Sequence, residues 1–356
     1  MKIGIILYPY NKEKQSGLGR YSWEMTKHII ENDSINEYVI FLKNKAKEAP
    51  VFNGDNYIIK VIGKKYFWLD RGLYGQKLDV CLFFTPVMPF FVKFKKAIIT
   101  VHDLGYKYIK STKVKGKMIH FLMHWIYKLS INKASHIVAV SRETKKDILN
   151  FFNVSENKIR VVYNGINKLP KAFEMKTPNN FFLFVGSVKR RKNVFRLVEA
   201  FIIFKKNNFN DVKLIIAGKS GGGKYYESIV REIDKNKLNN DVLFTGFIKD
   251  EQLSFLYEKA IALVYPSLLE GFGLPILEAM YSKLPVITSN YGALKEVSGG
   301  ATLLINPNSS IDLSNAMNKI YSNIPFRDYL IGKGLERLKM FSWDKAAKEV
   351  LEIINN

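Results

Sequence analysis

Short apolar segments rich in β-branched and aromatic residues alternate with helical patterns along the whole chain. This alternation constrains the fold more than any other feature, because strands separated by helices pair in parallel sheets with helical crossovers. We predict strands at 3–8, 38–42, 57–62, 80–84, 97–102, 136–140, 160–163, 181–185, 212–217, 242–245, 262–265 and 286–288. The sequence therefore predicts an α/β protein.

Length indicates that these strands belong to two domains. A chain of 356 residues is too long for one ordinary core. Segment 164–180 contains Gly165, Pro170 and Pro178, which is typical of a linker. The single Cys81 indicates a reducing, cytoplasmic compartment, and neither a signal peptide nor a membrane-spanning segment is expected.

The segment YPSLLEGFGLPILEAM, residues 265–280, contains a candidate anion site. Gly271 and Gly273 let the backbone approach a ligand closely. Pro275 suits the first turn of a helix, where its missing N–H has no intrahelical partner to lose. The positive end of that helix would face the glycines, so the segment predicts a phosphate-binding turn.

Two carboxylates flank this turn. Glu270 precedes the glycines, and Glu278 lies about one and a half turns into the predicted helix. An ionised carboxylate accepts several strong hydrogen bonds, which suits hydroxyl-rich groups. The spacing therefore predicts one carboxylate for each end of a sugar diphosphate.

The order Glu, Gly-Phe-Gly-Leu-Pro, Glu-Ala-Met and Leu-Pro-Val-Ile resembles the Glu-x7-Glu pattern of the retaining glycosyltransferases of family 4. The resemblance covers nearly the whole chain and is strongest over residues 181–307. It implies the GT-B fold, in which two Rossmann-like lobes with parallel sheets face a central cleft. The expected domains are an acceptor-side domain at 1–168, joined by a C-terminal helix at 342–356, and a domain that binds the nucleotide sugar at 169–341.

The resemblance also implies roles for individual residues. Glu270 is expected to orient the hydroxyls of the donor sugar, and Glu278 to hold the ribose. The further residues that it assigns to donor binding are Gly17, Gly19, Gly246, Phe247, Ile248, Gly271, Phe272, Gly273 and Leu274.

A glycine-bearing turn follows the first predicted strand. The sequence SGLGRY places Gly17 and Gly19 at the mouth of a helix predicted to begin near Tyr21. It lacks the third glycine of a dinucleotide fingerprint, and the turn at 9–16 is too long, so a dehydrogenase is not expected. The turn can contact a phosphate, and a plain turn is an equally good interpretation.

Four cations, KRRK at 189–192, occupy the turn after the strand 181–185. Cations at a helix start oppose the helix dipole unless an anion joins them. The resemblance assigns the neutralisation of the leaving diphosphate to Arg191 and Lys192. Many family members have an arginine where this chain has Ser187, and a solvated basic turn is the alternative.

His102 ends a predicted strand and is followed by Asp103. In an α/β domain the carboxyl ends of strands form the functional rim, which is where a histidine could act. The resemblance implies that His102 faces the donor sugar and that Asp103 contacts the acceptor. A capping histidine with no chemical role is the alternative.

Positive charge is concentrated in the first half of the chain. Of the net charge of +23, residues 1–170 carry +16, with 29 Lys and Arg against 13 Asp and Glu. Segment 113–133 has apolar residues at helical spacing with flanking lysines, and 84–96 adds an apolar and basic stretch. These segments are typical either of a helix packed on its own sheet or of a surface helix that contacts anionic lipid. A general preference for lysine in the sequence, without any functional role, would also raise the net charge.

No Asp-x-Asp sequence and no Cys/His cluster with ligand spacing is present, so neither a metal nor another cofactor is expected. The sequence predicts a transferase that moves a hexose from a UDP- or GDP-linked donor to a hydroxyl of a glycan or lipid-linked acceptor in polysaccharide or O-antigen synthesis. It is expected in the cytoplasm or on the inner face of the plasma membrane, without a nucleic-acid partner. The alternatives are a sugar-nucleotide epimerase and a basic lipid- or nucleic-acid-binding protein without turnover.

Overall fold

The computed structural model describes residues 1–10, 17–63, 66–108, 114–206 and 211–356. These residues form two compact units. The first comprises Met1–Gly165 and Phe341–Asn356, and the second comprises Ile166–Met340.

In the first unit, the described residues form one parallel sheet of seven strands in the order β3-β2-β1-β4-β5-β6-β7. Every neighbouring pair is parallel; for example, Ile5 lies opposite Ile40 on one side and Leu82 on the other. Strand order reverses between β1 and β4, so their carboxyl ends border the position where such sheets bind ligands. The strands are β1 Lys2–Ile6, β2 Glu37–Leu42, β3 Tyr57–Val61, β4 Val80–Phe83, β5 Lys96–Val101, β6 His136–Ala139 and β7 Ile159–Val161.

The C-terminal helix belongs to the first unit. Its first residue, Trp343, lies against the backbone of Gly165, where an added Cβ would lie 2.1 Å from the Trp343 nitrogen. Its ring also packs against Tyr21, with the centroids 5.7 Å apart. The helices of this unit are α1 Gly17–Glu31, α2 Trp68–Leu73, α3 Gly105–Tyr108, α4 Val114–Lys133, α5 Arg142–Phe151 and α13 Trp343–Asn355.

The start of α1 corrects the sequence prediction. The helix begins at Gly17, four residues before Tyr21, so Gly17 and Gly19 lie in its first turn and not in a loop before it. The N–H groups of a first turn have no intrahelical partner. The N–H groups of Gly17 and Gly19 therefore have no intrahelical hydrogen bond to lose. Gly19 is buried, and its lack of a side chain lets α1 pack closely.

In the second unit, the described residues form a parallel sheet of six strands in the order β10-β9-β8-β11-β12-β13. Strand β8 is Asn180–Val185, and its residues 181–184 are fully buried, as expected for a strand covered by helices on both faces. The other strands are β9 Val212–Ala217, β10 Val242–Gly246, β11 Ala262–Tyr265, β12 Val286–Ser289 and β13 Leu303–Ile305. The two parallel sheets confirm the predicted fold class, although the sequence pattern missed β13.

The helices of the second unit connect these strands or follow the last of them. They are α6 Val194–Lys205, α7 Gly223–Lys235, α8 Asp250–Lys259, α9 Leu274–Tyr281, α10 Gly292–Ser298, α11 Ser310–Ser322 and α12 Ile324–Leu338. Residues 162–178, which lead into β8, contain neither helix nor strand.

Candidate active site

The turn between β8 and α6 is fixed by Asn193. This residue has a left-handed backbone, with φ of 61°, and precedes the first residue of α6. Its side-chain Nδ2 donates hydrogen bonds to the carbonyls of Pro266, at 3.1 Å, and Pro307, at 2.7 Å. Arg191 and Lys192 lie in the short 3-10 turn just before it. The two cations are therefore held against the loop that follows β11.

Glu270 contacts both cations. Its Oε2 lies 3.0 Å from Arg191 Nη1, and its Oε1 lies 2.6 Å from Lys192 Nζ. Only 10% of the side-chain surface of Glu270 and of Lys192 is exposed, against 30% for Arg191. Three residues that the sequence assigned to donor chemistry therefore lie in one ion cluster, with one cation in excess.

Tyr265, the last residue of β11, supports this cluster. Lys192 Nζ donates a hydrogen bond to Tyr265 Oη and lies 4.8 Å from the centroid of its ring. Burial raises the pKa of Tyr265 well above its ordinary value, and the nearby Glu270 raises it further. The phenol therefore stays neutral and keeps its oxygen available to the ammonium. Sequence reasoning missed this residue, although it begins the segment 265–280.

The glycine turn before α9 has the geometry that the sequence predicts. Gly273 precedes the helix with φ of 114°, and Pro275 occupies the first turn. An added Cβ at Gly273 would lie 2.8 Å from the Leu294 side chain. Phe272 is buried and anchors the turn. The N–H groups at the start of α9, at Leu274, thus follow Glu270 closely in the chain.

Glu278 is buried in α9, with 9% of its surface exposed. Tyr257 Oη, on α8, donates a hydrogen bond of 2.9 Å to Glu278 Oε2. Tyr257 is itself fully buried. The carboxylate is consequently held by a rigid neighbour that sequence reasoning also missed, because a single tyrosine in a helix carries no spacing pattern.

Glycines end three neighbouring strands of this sheet. Gly186, Gly218 and Gly246 all have φ between 69° and 144°, and the Gly218 N–H donates to the Gly246 carbonyl at 2.9 Å. A Cβ at Gly218 would lie 2.2 Å from the Gly186 carbonyl oxygen, so no side chain fits between these strand ends. Beyond Gly246, Phe247 is exposed and Ile248 half-buried. The loop 246–248, which the resemblance assigns to the base, therefore lies at the same rim.

In the first unit, His102 follows β5 directly and is half-buried. Its Nε2 lies 2.9 Å from the Phe84 carbonyl, which can only accept, so Nε2 carries the proton and Nδ1 is an acceptor. Burial lowers the pKa of His102 below its ordinary value. The Tyr21 ring packs edge-on against the imidazole, with the centroids 4.6 Å apart. His102 is thus a neutral, oriented acceptor.

The other residues of this unit that were predicted to belong to the site lie after β5 and in α1. Asp103 is exposed, and its Oδ1 accepts a hydrogen bond of 2.9 Å from the Gly105 N–H. Gly17 is exposed and Gly19 is buried in α1. Residues 11–16 of the preceding turn lie outside the described part of the chain.

The described residues contain no group of three or more His, Cys, Asp or Glu side chains that could hold a metal ion. At the rim of the second sheet, the structure brings together the charged groups of Arg191, Lys192 and Glu270.

Two family models match successive parts of the chain. The model described as Glycosyltransferase Family 4 matches residues 42–168, and the model described as Glycosyl transferases group 1 matches residues 166–337. The O-antigen chain mannosyltransferase RfbU of Salmonella typhimurium is 34% identical over 222 residues, which are 62% of this chain and 60% of that protein. The match thus spans about three fifths of that relative's length.

Solved structures share the fold of this chain. Sucrose-phosphate synthase from Thermosynechococcus elongatus has a TM-score of 0.79 and 19% identity to this chain. The match covers 99% of this chain and 98% of the synthase chain. Alr3699/HepE from Anabaena, solved in complex with UDP and glucose, has a TM-score of 0.73 and 16% identity, covering 100% of both chains. The fold is GT-B, and the two models together match most of the sequence. The chain belongs to glycosyltransferase family 4.

Proposed function

We propose that the protein is a retaining glycosyltransferase that moves a hexose from a UDP- or GDP-linked donor to a hydroxyl of a glycan or lipid-linked oligosaccharide. The observation that carries this proposal is the cluster of Arg191, Lys192 and Glu270 at the carboxyl ends of β8 and β11. Two cations and the start of α9 suit a diphosphate, and buried carboxylates suit sugar hydroxyls.

In the proposed reaction, the bond between the anomeric carbon and the diphosphate oxygen breaks, and the diphosphate leaves with the electron pair. Arg191, Lys192 and the N–H groups of 271–274 stabilise the developing negative charge, each contact contributing up to about 3 kcal/mol of barrier reduction. The acceptor hydroxyl forms the new bond on the face that the diphosphate leaves, so the anomeric configuration is retained. A phosphate oxygen takes the proton of that hydroxyl.

The carboxylates have separate roles in this proposal. Glu278, held by Tyr257, accepts hydrogen bonds from the ribose, and Glu270 accepts them from the donor sugar. His102 Nδ1 is an acceptor for a further sugar hydroxyl, and Asp103 contacts the acceptor. We propose that the cations replace the divalent ion with which other enzymes neutralise a diphosphate, so that no metal or other cofactor is needed.

The names of similar proteins support a hexose and a nucleotide diphosphate as parts of the donor. RfbU is named an O-antigen chain mannosyltransferase, and the HepE structure contains UDP and glucose. These names favour hexose transfer in the assembly of a surface polysaccharide. They do not favour the epimerase or the binding protein without turnover.

Thermal unfolding in the presence of UDP, GDP, dTDP, ADP and CMP, each without metal and then with magnesium, tests the proposal. A ligand that binds only the folded protein raises its Tm. We expect one diphosphate to raise Tm without metal in the native protein and to raise it less in Glu278→Gln. Absence of a shift with every nucleotide would contradict the proposal. Conversion of a nucleotide sugar without an acceptor would instead indicate an epimerase.

We also propose that the protein contacts an anionic membrane through α4. This helix has 20 residues, of which Ser130 and Ile131 are buried. At 100° per residue, six of the seven exposed apolar residues of α4 lie on one face about 100° wide, and Ile119 lies outside it. The six are Val114, Met118, Phe121, Leu122, Trp125 and Leu129.

Lysines border this apolar face on both sides. Lys117 and Lys128 lie on one flank, and Lys115 and Lys133 on the other. Residues 104–142 contain seven lysines, one arginine and no acidic residue. An apolar face between two rows of lysines is the arrangement of a helix that lies in a membrane interface.

An exposed aromatic cluster adjoins the end of α4. The ring centroids of Phe67, Phe90 and Phe91 lie 6.3 to 6.4 Å apart, and Phe91 is 79% exposed. Lys133 Nζ donates to the Phe90 carbonyl, which joins the cluster to α4. Among the described residues no helix is long and apolar enough to span a bilayer. The contact that we propose is peripheral, with the exposed face of α4 on the membrane surface. We expect it on the cytoplasmic face, where anionic lipids attract basic segments.

Sedimentation with vesicles tests this contact. We expect binding to vesicles that contain phosphatidylglycerol, weaker binding to phosphatidylcholine vesicles, and loss of binding in Phe121→Ser/Trp125→Ser. Tyr329→Ser, which changes an exposed aromatic residue of the second unit, is the matched control. Equal binding of the double variant and the control would contradict an α4 contact.

A further inference from the structure

The first unit contains a cavity that the residues discussed above do not use. Its volume is about 280 Å³, and it lies where the chain leaves β1 and β2. Residues 7–10 form one wall and residues 42–48 the other. The cavity thus lies at the carboxyl end of the sheet, beside the reversal of strand order, where α/β domains bind ligands.

Positive charge dominates this cavity. Lys43, Lys45 and Lys47 alternate along one wall, and among the described lining residues Glu48 is the only acidic one. Among the described residues, the ion pairs include no carboxylate partner for Lys43 or Lys45. Unneutralised ammonium groups that converge on a cavity favour an anionic ligand.

Aromatic rings fix the shape of the cavity. The rings of Tyr8 and Trp68 have centroids 5.3 Å apart, and Lys43 Nζ lies 5.4 Å and 5.7 Å from them. On the other side, Tyr10 packs against Trp23, with centroids 5.7 Å apart. Both tyrosines therefore have ordered rings, and their hydroxyl groups can donate and accept hydrogen bonds.

We propose that this cavity binds a sugar unit that carries a negative charge and that this unit belongs to the acceptor glycan. The tyrosine rings and hydroxyls contact the sugar ring, while Lys43 and Lys45 pair with its anionic group. Both a sugar phosphate and a uronic acid present this chemistry, and the volume suits one hexose with one substituent. The assignment to the acceptor rests on the proposed glycosyltransferase function.

Ligand-observed NMR titrations of the full chain test the cavity with glucose 6-phosphate, glucuronate, glucose and inorganic phosphate. We expect at least one anionic sugar to bind more tightly than glucose, and the preferred one identifies the anionic group. Lys43→Gln/Lys45→Gln should weaken that binding about tenfold or more, because it removes two charge-assisted contacts. Lys77→Gln is the matched control, since Lys77 is exposed and precedes β4 at the opposite end of the sheet.

Three outcomes would overturn the proposal: glucose binding as tightly as both anionic sugars, inorganic phosphate binding as tightly as the preferred sugar, or a lysine double variant that binds like the native protein. Lys45→Gln alone, at an exposed position, serves if the double variant fails to fold. Glu278→Gln separates the two proposals, because it alters the nucleotide effect on Tm and should leave the sugar Kd unchanged. A native protein that binds an anionic sugar but no nucleotide would contradict only the transferase.

Discussion

Replacing Lys192 by Met removes one cation from the candidate active site and keeps most of the apolar stem. In the structure, Lys192 Nζ lies 2.6 Å from Glu270 Oε1 and bonds the hydroxyl of Tyr265. If Lys192 stabilises the departing diphosphate, its loss should raise the barrier by about 3 kcal/mol, which corresponds to roughly a hundredfold lower kcat. The KM for the donor should change much less.

The same substitution also affects folding. Glu270 would keep Arg191 as a partner, but a buried carboxylate that loses one of two cations should cost about 1–3 kcal/mol of unfolding free energy. The variant Lys192→Met/Glu270→Gln removes the unbalanced carboxylate, so we expect it to recover Tm. Because Glu270 also has a proposed role with the donor sugar, only the Tm of this variant is compared, and its recovery would assign the lost stability of Lys192→Met to the unbalanced carboxylate.

Steady-state kinetics with the donor identified by thermal unfolding provide the assay. Lys189→Met is the matched control, because Lys189 is an exposed cation three residues earlier in the same turn. A Lys192→Met enzyme with unchanged kcat and a raised KM would refute the assigned role. An equal loss of kcat in Lys189→Met would show that general positive charge, and not this cluster, matters.

Three further predictions test the neighbouring structure. Glu278→Gln and Tyr257→Phe should each weaken nucleotide diphosphate binding, Tyr257→Phe by about tenfold, with little change in kcat, as measured by calorimetry and kinetics. Gly273→Ala should lower the unfolding free energy by about 1–3 kcal/mol, because φ is 114° and the added Cβ would lie 2.8 Å from a leucine side chain. Gly332→Ala is the control, because an added Cβ there would meet nothing within 4 Å. It should lower the unfolding free energy little or raise it. Burial lowers the pKa of His102. Just below a pH of about 6.5, the unfolded chain therefore binds more protons than the folded protein does. The free energy of unfolding should fall as the pH decreases through this range. His102→Asn should flatten that slope in denaturant titrations.

The sequence predicted the fold because local pattern and long-range pairing agree. Buried parallel strands such as 181–184 read as continuous apolar runs, and the helices between them impose parallel pairing. Strand β13 was missed because Leu303–Ile305 is a short segment at the edge of the sheet. The early start of α1 at Gly17 was missed because glycine usually ends a helical pattern, whereas packing of Gly19 in the interior outweighs that preference.

The candidate site was predictable where chemistry depends on neighbours in sequence. The glycines, Pro275 and the two glutamates lie within one turn and one helix, so their spacing carries the information. Tyr257 and Tyr265 act across elements, on side chains 21 and 73 residues away. Such contacts depend on sheet order and on how helices pack, which local spacing does not contain.

The structure adds a coupling that the separate assignments did not contain. Arg191 and Lys192 are the groups proposed to bind the diphosphate, and both already contact Glu270, the group proposed to bind the donor sugar. A diphosphate that pairs with the cations must compete with Glu270, and the carboxylate then needs other donors because it is almost buried. Hydroxyls of a sugar attached to that diphosphate supply them, whereas a free nucleotide diphosphate does not. We therefore expect the ion cluster to favour the intact donor over the product, because only the attached sugar can satisfy the carboxylate that the cations leave.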